Sequence, residues 1–260
     1  MKSQLKTLLL LLAVLTVAVA YAVSPWQGRI AGQDLEKISF TDPAADTLAV
    51  DTLATDTLAA DTLALAADTA AVDTTAQRIL LFGDSMLEKL RLRFYDYAAR
   101  NGHDLHTVVW YSSSTKVWAE TDTLQYFINK VKPTYIVVCL GSNELFVRDL
   151  QKRDAYIARI LNIIGPTTPY VWISPPNWKN DTGINALIQK HVGAKRYFDS
   201  RHLQLERDTD GAHPTFAAAA QWMDLIAKWL VSPDTQHPIR MDKPTRKGPR
   251  TNTTMLAPPQ

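Results

Sequence analysis

Between residues 78 and 231, short apolar runs alternate with helix-patterned stretches, and this alternation limits the fold more than any other feature of the chain. "RILLFGD", "LHTVVWYS", "TYIVVCLG", "YVWISP" and "KRYFDS" read as strands. Residues 86–100, 121–131, 150–164, 181–192 and 214–231 read as helices, with Ile157, Ile160, Leu161 and Ile164 forming one stripe along the third. "TYIVVCLG" is apolar at every second position and also between them, as a strand covered on both faces must be. Strands alternating with helices predict an α/β domain with a mainly parallel sheet and helices on both faces. A stretch of about 155 residues is long enough to bury one good core.

The flanking segments have a different texture. Residues 1–26 carry Lys2 and Lys6 and then an apolar run from Thr7 to Val23, with small residues at Ala18, Ala20 and Ala22 and Trp26 beyond. Two readings stand: a cleaved signal peptide, or a membrane anchor of about the shortest spanning length. Both carry the rest of the chain across a membrane, into the periplasm or cell envelope. No Cys follows the apolar run, so it is not a lipoprotein anchor. Residues 27–76 are expected to be a disordered linker, because 46–75 repeat Asp-Thr-Leu-Ala with a period of five, which fits neither helix nor strand. The repeat resembles the Asp-Thr-aliphatic acceptor pattern of a bacterial protein O-glycosylation system, which makes Thr47, Thr52, Thr57, Thr62, Thr69 and Thr74 candidate acceptors. Residues 77–232 form the expected domain, and the proline-rich basic segment 233–260 is expected to be a disordered tail.

Charge and composition exclude several classes. The formal net charge is +2, so there is no basic excess to hold nucleic acid. The single cysteine, Cys139, has no internal disulfide partner and reads as a small buried hydrophobe. His103, His106, His191, His202 and His237 lack metal-ligand spacing, and there is no glycine-rich phosphate loop, so neither metal nor cofactor is expected.

Three predicted strand or loop ends carry groups with chemistry. Ser85 follows the first strand in "GDSM", Asn143 follows the third in "GSNE", and Asp210 and His213 stand in "DGAHP" before the last helix. Open α/β sheets place their sites at such strand ends. Ser85 is either a helix cap or a nucleophile whose proton a histidine removes. Asp210 can orient His213 or shape a turn with Gly211, and Asn143 can donate to an oxyanion or cap a helix.

"GDS", "GSNE" and "DGAHP" together resemble three blocks of the SGNH/GDSL hydrolases over residues 78–231, in wording nearest the branch acting on acetylated cell-surface glycans. The resemblance implies a flavodoxin-like three-layer α/β/α fold. It further implies Ser85 as nucleophile and first oxyanion donor, Asn143 as second donor, His213 as base and Asp210 as its orienter. The activity implied is that of a serine esterase or O-acetyltransferase on acylated polysaccharide or peptidoglycan, with a membrane-bound acyl-transfer partner in the transferase case. A non-catalytic glycan-binding domain is the alternative. The family's second-block glycine is missing from "YSSSTKVW", where Ser114, Thr115 or Lys116 can supply the remaining N–H, Thr115 foremost. Lys116 and, in "SPPNWKND", Trp178 are the candidate substrate contacts.

Overall fold

The computed structural model describes residues 71–259, together with the pairs Arg29–Ile30 and Gln33–Asp34. The chain divides into two units, Met1–Ala64 and Leu65–Gln260. In the first, Arg29–Ile30 pairs antiparallel with Gln33–Asp34, a short hairpin inside a segment expected to be disordered. Residues 1–26 and the repeat up to residue 70 lie outside the described residues, as do Thr47, Thr52, Thr57, Thr62 and Thr69. Thr74 is described and exposed. Among the described residues no helix is long and apolar enough to cross a membrane.

The second unit is built on six parallel strands: β1 (Arg78–Gly83), β2 (Asp104–Trp110), β3 (Tyr135–Cys139), β4 (Tyr170–Ile173), β5 (Tyr197–Phe198) and β6 (Thr253–Leu256). Their order across the sheet is β5-β4-β3-β1-β2-β6. Without β6 this is the flavodoxin-like order, whose switch point lies between β1 and β3. The helices are α1 (Leu87–Asn101), α2 (Thr115–Glu120), α3 (Thr123–Val131), α4 (Leu150–Ile164), α5 (Ile184–Val192) and α6 (Phe216–Leu230).

Alternation along each strand sorts the core into two layers. Ile79, Leu81, Val137, Cys139 and Ile173 face α1 and α6, meeting Leu90, Phe94, Trp222 and Ile226. Leu80, Phe82, Val138 and Trp172 face the other way, against Trp118, Leu124, Ile160 and Ile188. The result is a three-layer α/β/α fold, as the alternation predicts. Burying each large side chain stabilises the fold by about 1.5–3 kcal/mol.

Two boundary expectations are corrected. The domain reaches back past residue 77 at least to Asp73, which bonds Pro238 and Arg240 through its backbone at 2.8 and 2.9 Å. Segment 233–260 is not a disordered tail through residue 259. It runs beside α1, where Asn101 exchanges hydrogen bonds with Asp242 and Asp96 accepts from Gly248 and Arg250. It then adds β6 beside β2 in the register Thr107–Thr253 to Trp110–Leu256. Tertiary partners order a segment whose own composition does not.

Candidate active site

The site grows from the switch point. At Gly83 a Cβ would stand 1.8 Å from the Cys139 carbonyl oxygen, so only glycine lets the ends of β1 and β3 approach. The next residue, Asp84, is buried and ties the two strand ends together. Its carboxylate accepts the N–H groups of Met86, Gly141 and Ser142 at 3.0–3.3 Å. Burial pushes its pKa up, while hydrogen bonds from Ser142, Met86 and Gly141 oppose that shift.

Ser85 therefore stands at a fixed corner, and it is not a helix cap. Met86 takes the cap position of α1 without any side-chain cap bond. The Ser85 Oγ lies instead 2.8 Å from His213 Nε2. No partner for the Ser85 N–H is found among the described residues.

His213 is held by a loop that folds back on itself. Arg207 bridges to Pro214, Asp208 N–H donates to the His213 carbonyl at 2.7 Å, and Gly211 makes the turn at φ +70°. One oxygen of Asp210 accepts the N–H groups of Ala212 and His213, each at 2.9 Å. The other lies 2.6 Å from His213 Nδ1. Those two backbone N–H groups and the imidazole hold the Asp210 carboxyl far below the usual carboxylate range. An ionised carboxylate only accepts, so Nδ1 carries the proton and Nε2 presents its lone pair to Ser85. Helix α6 starts after this loop with Thr215 as its cap, so neither His213 nor Pro214 is used for capping.

Ser85, Asp210 and His213 are thus brought together, and three other expectations, at Thr115, Lys116 and Trp178, are corrected. Thr115 does not turn its N–H to the cavity. That N–H and the Thr115 hydroxyl both donate to the buried Glu144 carboxylate, at 2.7 Å each. Thr115 opens α2, a helix absent from the sequence reading, where first-turn N–H groups need an acceptor. The turn residue beside the cavity is Ser112, held at φ +55°, a region that favours glycine. Its N–H has no partner among the described residues. Lys116 is also displaced: it is exposed on α2 and pairs with Glu120 at 3.9 Å. The lysine at the cavity is Lys89, paired with Asp208 and 3.3 Å from the Pro214 carbonyl.

Asn143 sits in a 3₁₀ turn, Ser142–Glu144. Its amide donates to the Ser113 carbonyl at 2.9 Å, linking it to the Ser112 turn and leaving its second N–H for another acceptor. Trp178 does not line the Ser85 cavity; it packs on the core edge-to-face with Phe146 at 6.3 Å. Its loop is braced to the His213 loop by Arg207, which donates to the carbonyls of Pro176, Asn177 and Ala212 at 2.8–3.1 Å.

Ser85 and His213 open on a cavity of about 370 Å³, with Glu88, Tyr111 and Asp208 on its walls. Burial and the neighbouring Glu88 carboxylate push the Tyr111 hydroxyl upward. Among the described residues no cluster of His, Cys, Asp or Glu is placed to hold a metal ion. Sequence reasoning missed Asp84, Ser112, Glu144 and Lys89. Asp84 and Glu144 lie inside the quoted motifs "GDS" and "GSNE", which was the signal available for them.

No protein-family model matches the chain, and no curated protein matches it. A solved structure similar to it is that of BT4096, a gut microbial diltiazem-metabolizing enzyme, at 14% identity and a TM-score of 0.42. The match covers 63% of this chain and 48% of that one, so the chain spans about half the length of BT4096.

Proposed function

We propose that the chain is a serine esterase or O-acyltransferase of the SGNH/GDSL type, acting outside the cytoplasm on acylated, chiefly acetylated, envelope glycans. One observation carries this reading: the unbroken chain from Ser85 Oγ to His213 Nε2 at 2.8 Å and from His213 Nδ1 to Asp210 at 2.6 Å. In it, His213 takes the Ser85 proton as Oγ attacks the ester carbonyl. The oxyanion is met by the N–H groups of Ser85 and Ser112 and by the Asn143 amide. Collapse releases the glycan hydroxyl, protonated by His213, and leaves an acyl-serine. Water or a second sugar hydroxyl, deprotonated by His213, then takes the acyl group and regenerates Ser85. Asp210 holds the imidazole in the required tautomer and stabilises the imidazolium.

The test is labelling by a fluorophosphonate, read by intact mass. The expected result is one adduct on wild type and none on a folded Ser85→Ala variant. Labelling that persists in Ser85→Ala would overturn the mechanism.

A further inference from the structure

Lys89 forms a wall of the Ser85 cavity and also a wall of a second groove of about 340 Å³ between α1, α6 and the C-terminal segment. The two spaces therefore meet at one side chain. Their charge differs in sign. Around Ser85 the carboxylates Glu88, Asp208 and Asp210 outnumber the single cation Lys89. The groove beyond is lined by Lys89, Arg93, Lys247 and Arg250 against only Asp96 and Asp224. Arg93 and Arg250 are anchored, the first at 2.9 Å from Asp224 and the second at 3.0 Å from Asp96. Lys247 is exposed and has no ion-pair partner among the described residues.

At the junction stands Phe216, 65% exposed, three residues after His213. The Lys89 ammonium lies 4.9 Å from its ring centroid. An aromatic ring left in solvent at the mouth of a site offers an apolar face for a sugar ring, and nothing in the core requires it there.

We propose that this groove is a substrate subsite. It holds an acidic sugar unit, of uronate type, in a glycan whose neutral ester-bearing unit occupies the Ser85 cavity. The chain passes over Phe216 at the junction. Carboxylates around Ser85 disfavour a charged unit at the scissile ester, while the groove's excess of cations, with Lys247 unpaired among the described residues, favours a carboxylate farther along. The assignment of the ester-bearing unit rests on the reading of Ser85 as an esterase nucleophile.

Binding separates the two ideas. The full-length Ser85→Ala protein is titrated calorimetrically with a xylo-oligosaccharide carrying one glucuronate unit and with the neutral xylo-oligosaccharide of equal length. The acidic ligand should bind about tenfold or more tighter, with an advantage that shrinks as salt rises. Lys247→Glu should remove most of that advantage, and Phe216→Ala should weaken both ligands. Lys130→Glu, on α3, should change neither. Equal affinity for the two ligands, no binding of either, or equal effects of Lys247→Glu and Lys130→Glu would overturn the subsite. Turnover by wild type is then compared on an acetylated xylo-oligosaccharide with a glucuronate side unit, whose acetyl groups sit on neutral xylose, and on a small acetyl ester. Binding with no turnover of either ester would sink the esterase reading while leaving the groove's acid preference intact.

Discussion

Glu144 grips Thr115 at two points, accepting its backbone N–H and its hydroxyl at 2.7 Å each. The same carboxylate lies 2.8 Å from Arg153 Nε and is itself 1% exposed. Glu144 also follows Asn143, whose amide holds the Ser113 carbonyl. Two loops of the site are thereby locked to each other through one buried anion. Glu144→Ala would leave Thr115 with two unmet donors and Arg153 without its counter-ion. The expected loss is about 3–5 kcal/mol, read by urea unfolding. Thr115→Val removes only the hydroxyl bond, with an expected cost of about 1.5–3 kcal/mol. A hundredfold loss of turnover in a stable Thr115→Val would instead put that hydroxyl at the reacting centre.

Ser112 occupies a left-handed backbone position at φ +55°. Relief of that strain is worth on the order of 1–2 kcal/mol, less the extra freedom glycine has when unfolded. Ser112→Gly should therefore be at least as stable as wild type and, on the proposed mechanism, keep full turnover of an acetyl ester, since the N–H survives. Ser112→Pro can neither adopt the angle nor donate, and should lower kcat by about a hundredfold or more. Thermal melts and acetyl-ester kinetics check both.

Asp210 uses its two oxygens for different tasks, one for two backbone N–H groups and the other for His213 Nδ1. Asp210→Asn can preserve the first task. Its amide nitrogen would then face Nδ1–H, and relief comes by moving the imidazole proton to Nε2, the atom that serves as base in the proposed mechanism. The expected drop in kcat is on the order of a hundredfold or more. Melting temperature should change little.

Acid stability has a sign that follows from the carboxylates. Burial acts against ionising Asp224, but hydrogen bonds from Arg93 and Tyr97 win and hold its carboxyl below the usual range. Lys89 lowers Asp208 likewise. For such groups the stabilisation is full above the unfolded value, near about pH 4, and is lost as pH falls through the depressed folded value. Melting temperature should thus fall as pH drops below about 4. Asp224→Asn should be less stable at neutral pH and show a flatter acid limb in a calorimetric series. Buried Glu144 has the opposite sign, because desolvation raises its pKa. Its Glu144→Gln variant should gain on wild type as pH rises above the usual Glu range.

The layered fold was legible because β-run and helix-run alternate over long stretches, and α4 falls on Leu150–Ile164, the span its stripe marks. Ser85, Asp210 and His213 were legible as candidates because each stands in a short motif at an element's end. Thr115 was misplaced because nothing local reveals that a carboxylate 29 residues away receives its N–H. Ser112 was passed over because a serine does not advertise a positive φ. Lys89 is one of several charged residues in a helix pattern, and its place at the cavity depends on Asp208, 119 residues on. The segment after Ser232 misled through composition: prolines and scattered charges conceal contacts made with α1. At Gly248 a Cβ would come within 2.5 Å of the Tyr95 carbonyl, a fit invisible without the partner helix.

Ser85 and His213 meet across a sequence separation of 128 residues, and the chain between them threads β2 through β5. Closing so long a loop carries an entropic cost that only the assembled sheet offsets. Distant pairings of this kind form slowly compared with local helices. On the proposed mechanism, ester cleavage should therefore be a late reporter of refolding: helical signal is expected to return first, and the hydroxyl and imidazole to come into register only with the slowest phase.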